Sequence, residues 1–160
     1  MENGRADLPA EGRFDGVEHR LPVRVYFEDT DLSGVVYHAN YLRFMERGRS
    51  DMLRMAGVDQ RAAHEAGEGA YAVASLSIRY AAPARLDDAL VVATRVTAVR
   101  AASVAIHQRV MRDTLVLAEA DVVAALVAPS GRPRRQPREW IDRFSALLDP
   151  DEIRQGEVRP

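Results

Sequence analysis

The sequence predicts an α+β fold in which one long helix lays its apolar stripe on the face of an antiparallel sheet. Three observations carry this reading. Apolar and polar residues alternate with a period of two before residue 29; between Asn40 and Ala56 the period lengthens to about 3.6; after Gly69 it returns to two through four successive runs. The short connections between those runs favour antiparallel neighbours. At 160 residues the chain has the size of one domain, able to bury roughly 70% of its unfolded surface.

Taken in order, residues 1 to 19 are rich in Gly, Asp, Glu and Arg without apolar periodicity, and a flexible arm is expected there. The domain is expected over 20–149 and a flexible tail over 150–160. Leu21, Val23, Val25 and Phe27 alternate with Pro22, Arg24, Tyr26 and Glu28 as in a half-buried strand, whose start Pro22 places at an edge. The turn-rich stretch EDTDLSGVVYHAN follows. Leu42, Met45, Met52, Leu53 and Ala56 then mark one face of a helix about 25 Å long, with Arg43, Arg47 and Asp51 opposite and Gly57 as its stop. Gly48, near the middle, costs about 1 kcal/mol of helix propensity and points to close backbone packing. A shorter helical piece covers Asp59 to Ala66.

Ala72, Ala74, Leu76, Ile78 and Tyr80 define the next strand, and APARLDD turns the chain. Leu90 to Val99, Ser103 to Arg112 and Leu115 to Ala128 follow; in the last, Val116, Ala118, Ala120, Val122, Ala124 and Leu126 form an apolar face. Pro129 to Pro137 is a proline-broken basic loop. Pro137 opens a helix whose face Trp140, Ile141, Phe144, Leu147 and Leu148 is expected to dock on its own domain; a partner or membrane surface is the other reading.

Composition removes several chemistries. There is no cysteine, hence no thiol nucleophile and no sulfur-held metal; all 22 basic residues are Arg, hence no Schiff base and no Gly-Lys-Ser/Thr phosphate loop. A net charge of -2 gives no global field for nucleic acid. No run approaches the roughly 20 apolar residues of a membrane span, and MENGRADLPAEG lacks a signal core, so a soluble, cytoplasmic protein is expected. His19, His38, His64 and His107 form no H-x-x-x-H pair, and neither a metal nor a cofactor is expected. Gly67, Gly69 and Ala72 match G-x-G-x-x-A but precede a strand, the wrong context for a dinucleotide site.

The densest polar cluster is Glu28, Asp29, Asp31, Ser33, Tyr37, His38 and Asn40, at the junction of first strand and long helix. A helix start offers free N–H donors and partial positive charge, so carboxylates and an imidazole there make a reaction centre. Spacing alone favours the plainer reading, with Asp31 or Asn40 as a helix cap and His38 as a turn residue, because acids before helices are common. A Ser33 triad lacks the Gly-x-Ser-x-Gly elbow. His107 reads as a satisfied sheet residue, and Arg132, Arg134, Arg135 and Arg138 as a solvated loop or a phosphate contact.

The run from Val23 to Arg49, VRVYFEDTDLSGVVYHANYLRFMERGR, closely resembles the signature of hot-dog-fold acyl-CoA thioesterases of the 4-hydroxybenzoyl-CoA thioesterase type, in the branch associated with the Tol-Pal envelope system. R-Y-x-x-P-A-R-x-D-D at Arg79 to Asp88 and G-R-P-R-R-Q-P at Gly131 to Pro137 extend the resemblance over Leu21 to Pro137. It implies a five-stranded antiparallel sheet wrapped around one long helix, and a homodimer or homotetramer with active sites at subunit interfaces. It also implies hydrolysis of acyl-CoA, with Asp31, the second Asp of D-x-D, as general base or nucleophile. His38, which this branch shares, would start the central helix with its backbone N–H facing the thioester oxygen. Gly34 and Tyr37 match pocket positions, and Glu46 is a second-carboxylate candidate. For the CoA phosphates only Arg100 matches, since Ala101 and Ala102 stand where relatives can carry further basic residues; Arg85 or the Arg132 to Arg138 loop would compensate. A thiolate leaving group, from a thiol of pKa about 8.5, needs little acid assistance, which suits this residue set. The alternatives are a non-catalytic hot-dog protein binding an acyl thioester or an envelope or lipid-synthesis partner, and a hot-dog enoyl thioester hydratase, whose Asp-to-His motif is missing.

Overall fold

Strands take up the two-residue periods and helices the longer ones in the computed structural model, which describes residues 7–151. The elements are β1 (Arg13–Asp15), β2 (Glu18–Arg24), α1 (Asn40–Met55), α2 (Gln60–Glu65), β3 (Ala70–Tyr80), β4 (Ala89–Val99), β5 (Ser103–Arg112), β6 (Leu115–Val127) and α3 (Arg138–Ser145). All strand pairs are antiparallel, in the order β1-β2-β4-β5-β6-β3. The sheet wraps α1, as expected, with six strands rather than five.

The added strand corrects the expected arm. Arg13–Asp15 pairs with Glu18–Arg24 as a hairpin, so the ordered chain begins well before residue 20. Its anchor is His19, fully buried, whose Nε2 lies 2.7 Å from Asp51 Oδ2; the Gly12 N–H donates to the same oxygen at 2.9 Å. Asp51 is therefore buried against the hairpin instead of on the solvent face of α1. Residues 1–6 of the expected arm and 152–160 of the expected tail lie outside the described residues.

Phe44, Met45 and Met52 bury the α1 stripe on Leu90, Val92 and Val96 of β4 and on Ile106, Val110 and Val122 of the next strands. Burial of each large side chain contributes about 1.5–3 kcal/mol. The closest approach is at Gly48, where a Cβ would lie 2.7 Å from Val92 Cγ1 and 3.1 Å from Thr94 Oγ1. Gln108 reaches up from β5 beside it, its Nε2 donating to Met45 O at 2.8 Å and to Thr94 Oγ1 at 3.0 Å. The axial position of α1 thus follows from a missing side chain and a buried amide.

The α3 stripe docks on its own domain through buried Phe144, with Tyr71 of β3 against both Phe144 and Trp140. On the outer sheet face His107 is satisfied by Asp121 (2.8 Å) and Glu119 (2.9 Å). The two sheet edges differ. β1 has three residues, whereas β3 has eleven that are mostly exposed, its outer side unpaired among the described residues. No described helix is long and apolar enough to cross a membrane.

Candidate active site

Buried Val25 and Val36 pin the two ends of the segment that joins β2 to α1. Between them the chain makes a 3-10 turn at Phe27–Asp29, then a small hairpin bridged at Thr30 and Val36. The hairpin is closed by Asp31 N–H to Val35 O and Gly34 N–H to Asp31 O, both 3.0 Å. Gly34 has φ +81°, a left-handed conformation that favours glycine and lets the turn close. The tip of this turn holds Asp31 in solvent.

The two acids of D-x-D have separate duties. Asp29 is buried and accepts from Tyr26 N–H at 2.7 Å and from Asn40 Nδ2 at 2.5 Å, while its backbone oxygen accepts from Tyr37 N–H at 2.9 Å. It ties the start of α1 to the turn. Asp31 is exposed and accepts from the Ser33 hydroxyl at 2.5 Å and the Ser33 N–H at 2.8 Å. The Ser33 hydroxyl, then the Ser33 N–H, hold its carboxyl below the usual range, and nearby His38 acts in the same direction.

His38 stands two residues before the first residue of α1, its ring edge-on to Tyr37 at 4.6 Å. The N–H groups on either side are used: Tyr37 donates to Asp29 O and Asn40 to Tyr37 O. Among the described residues the N–H groups of His38 and Ala39 donate to no group of the chain. They are free donors at the positive end of a 16-residue helix. Val36, His38, Tyr41, Tyr80, Ala82 and Pro83 line the cleft there. Tyr80 donates its hydroxyl to His38 O at 2.8 Å, and Tyr41 Oη accepts from Ala84 N–H at 3.0 Å. Burial raises both phenols above their ordinary range, so at neutral pH both carry their protons.

Asp31, Gly34, Tyr37 and His38 all lie on the segment between β2 and α1, His38 alone of them lining the cleft, and a bridge from Val35 to Arg85 sets Arg85 beside the same turn. Glu46 and Arg100 are not in this cleft of the chain. Two turns further along α1, Glu46 accepts from Ser50 Oγ at 2.6 Å and lines a separate cavity of about 180 Å³ with Arg49, Leu53, Tyr71 and Phe144. Arg100 lies in the β4–β5 turn, at the far end of an eleven-residue strand that starts near Arg85. Sequence reasoning missed Tyr80 as part of the cleft, although it stands in the R-Y-x-x-P-A-R run. Among the described residues no cluster of His, Asp and Glu has the makings of a metal site.

An exposed carboxylate in the hydrogen-bonded turn that leads to a helix start with two free N–H donors is an arrangement suited to acyl transfer to water. The family model for the thioesterase superfamily matches residues 33–119, more than half of the chain, which belongs to that superfamily. Within it, the chain is 48% identical over 107 residues to the acyl-CoA thioesterase YbgC of Haemophilus influenzae, covering 67% of this chain and 79% of that protein. It is 42% identical over 127 residues to the acyl-CoA thioester hydrolase YbgC of Escherichia coli, covering 78% and 94%. A solved probable thioesterase from Bartonella henselae superposes with a TM-score of 0.72 at 38% identity, over 75% of this chain and 99% of that one. The hot-dog fold expected from the Val23 to Arg49 motif is thereby borne out.

Proposed function

We propose that the protein hydrolyses acyl-CoA thioesters to the free acid and CoA, with Asp31 as general base or nucleophile and the N-terminus of α1 as oxyanion site. The observation that carries this is the pairing of exposed Asp31 with the free N–H of His38 in a chain of the thioesterase superfamily. As base, Asp31 takes a proton from water and the hydroxide adds to the carbonyl carbon. As nucleophile, it adds itself, and water then cleaves the mixed anhydride. In either case the carbonyl oxygen becomes an oxyanion facing the helix start, and collapse breaks the C–S bond to release CoA thiolate. A low carboxyl pKa keeps Asp31 ionised, as both routes need. His38 lines the approach to that carbonyl, and Gly34 and Tyr37 shape the turn and wall.

The reading includes a homodimer or homotetramer. The open β3 edge supports it: two β3 strands laid antiparallel set the Tyr80 end of one against the Ala70 end of the other. That end carries the Glu46 cavity and the Arg100 turn, so a second copy supplies an acyl pocket and a phosphate grip to the Asp31 cleft. Buried Gln136 strengthens the grip by clamping the basic loop to the turn: its N–H donates to Ala101 O and its Nε2 to Arg100 O, both at 2.8 Å. Arg135, the residue before Gln136, is then the second candidate for the phosphates, where Ala101 and Ala102 offer no charge. Arg134 is occupied with Gly67 O and Glu68 O. Arg85 remains a candidate on the Asp31 side.

Thiol release over short, medium, long and aromatic acyl-CoAs tests the activity. Turnover that disappears in Asp31→Asn supports the assignment. Failure of the whole panel with the folded protein would overturn it in favour of a non-catalytic acyl-thioester binder.

A further inference from the structure

We propose that Tyr80 is a positioning residue for this hydrolysis, fixing the His38–Ala39 peptide so that the N–H of Ala39 joins that of His38 as a donor to the oxyanion. The proposal rests on the reading of Asp31 and α1 just given.

The geometry begins with the order of used and unused N–H groups. Tyr37 and Asn40 are committed to Asp29 O and Tyr37 O, which leaves His38 and Ala39 as adjacent free donors. A trans peptide points its C=O and N–H in opposite directions. Holding the His38 carbonyl therefore aims the Ala39 N–H away from the holder. Tyr80 is that holder, its hydroxyl 2.8 Å from His38 O. A hydrogen bond to a peptide oxygen also polarises the unit and strengthens its N–H as a donor, by about 10–30% in condensed-phase estimates.

Tyr80 is itself firmly placed. It is the last residue of β3, paired with Ala118 in the sheet, and its ring meets the Tyr41 ring edge-on at 5.4 Å. Tyr41 is held by the Ala84 N–H. An unbroken line of contacts thus runs from the sheet through Tyr80 to the His38–Ala39 peptide, whose N–H is the second donor. Packing alone does not call for the hydroxyl, because Tyr80 is exposed at the cleft edge and phenylalanine offers the same ring. What the hydroxyl adds is direction to the peptide.

Tyr80→Phe tests this with thiol-release kinetics and a Raman measurement of the thioester carbonyl of bound acyl-CoA, the latter in the Asp31→Asn background where substrate persists. The expected result is kcat lower by about tenfold, the scale of one lost hydrogen bond, with KM changed less than twofold. The carbonyl stretch, lowered on binding, should move part of the way back toward its solution value. Unchanged kcat and frequency, or a rise in KM alone, would overturn the proposal while leaving the Asp31 reading intact. Full turnover by Asp31→Asn would instead remove the reading beneath it. If Tyr80→Phe loses its folded circular dichroism, an ortho-fluorinated tyrosine at position 80, a stronger donor, is used. It should lower the carbonyl frequency further, and no change overturns the proposal.

Discussion

Asp29 and Asp31 are separated by a single residue, and replacing each alone distinguishes scaffold from chemistry. Asp29→Ala removes the acceptor of the half-buried Tyr26 N–H (2.7 Å) and of the buried Asn40 Nδ2 (2.5 Å). Hydrogen bonds to a charged group contribute about 1.5–3 kcal/mol each, so the pair amounts to about 3–6 kcal/mol. A domain of this kind has about 5–15 kcal/mol in total. Asp31 lies in solvent and bonds only within its own turn, so Asp31→Asn should leave the unfolding midpoint where it was. Urea titrations followed by Trp140 fluorescence read the first effect, and thiol release from acyl-CoA reads the second. Asp29→Ala should lower the midpoint with its slope preserved, whereas Asp31→Asn should abolish turnover at an unchanged midpoint. A wild-type midpoint for Asp29→Ala, or a large loss of stability in Asp31→Asn, would refute the division of labour.

Three further outcomes follow from the same geometry. Ser33→Ala removes the hydroxyl that does most to depress the Asp31 carboxyl, so its pKa rises. Because the ionised form is active, activity is present above that pKa and lost as pH falls through it. The acid limb of kcat/KM should therefore move to higher pH, and a limb that stays or moves lower contradicts the assignment. Gly48→Ala gains about 1 kcal/mol of helix propensity but sets a methyl 2.7 Å from Val92 Cγ1, where overpacking costs about 1–3 kcal/mol. Since Val92 and Gln108 are themselves buried and held, calorimetry should show a melting temperature lower by several degrees, not higher. Replacing Arg100 and Arg135 together by Ala should raise KM for acyl-CoA at constant kcat. It should leave the matching acyl-pantetheine thioester, which lacks the nucleotide, untouched; equal effects on both substrates would dismiss the phosphate role.

Periodicity made β4, β5 and β6 legible because each is buried on one side by α1 and solvated on the other. It misled at β1 and Asp51. There burial comes from one pair, His19 and Asp51, drawn from a polar stretch and a polar helix position, and no hydrophobic period announces it. β3 carries an alternating pattern yet is mostly exposed in the chain, because an edge strand next to an open groove keeps its apolar face without covering it. At the candidate site, the motif singles out Asp31 and His38, but the scaffold duty of Asp29 depends on where Asn40 and Tyr26 meet it in space. Tyr80 was hidden for the same reason: its partner is a backbone oxygen 42 residues away, which leaves no mark on composition or spacing.

The unequal edges of the sheet also bear on how far assembly can go. An eleven-residue bare edge is a template for pairing, and a chain with two such edges would add copies without end. Here the opposite edge is the three-residue β1, too short to template a further strand. Two copies joined through β3, as proposed above, would use up both long edges in a single contact and turn only β1 outward. In the proposed β3 pairing, the hairpin locked down by His19 would act as a terminator, ending strand addition at a closed pair rather than a filament.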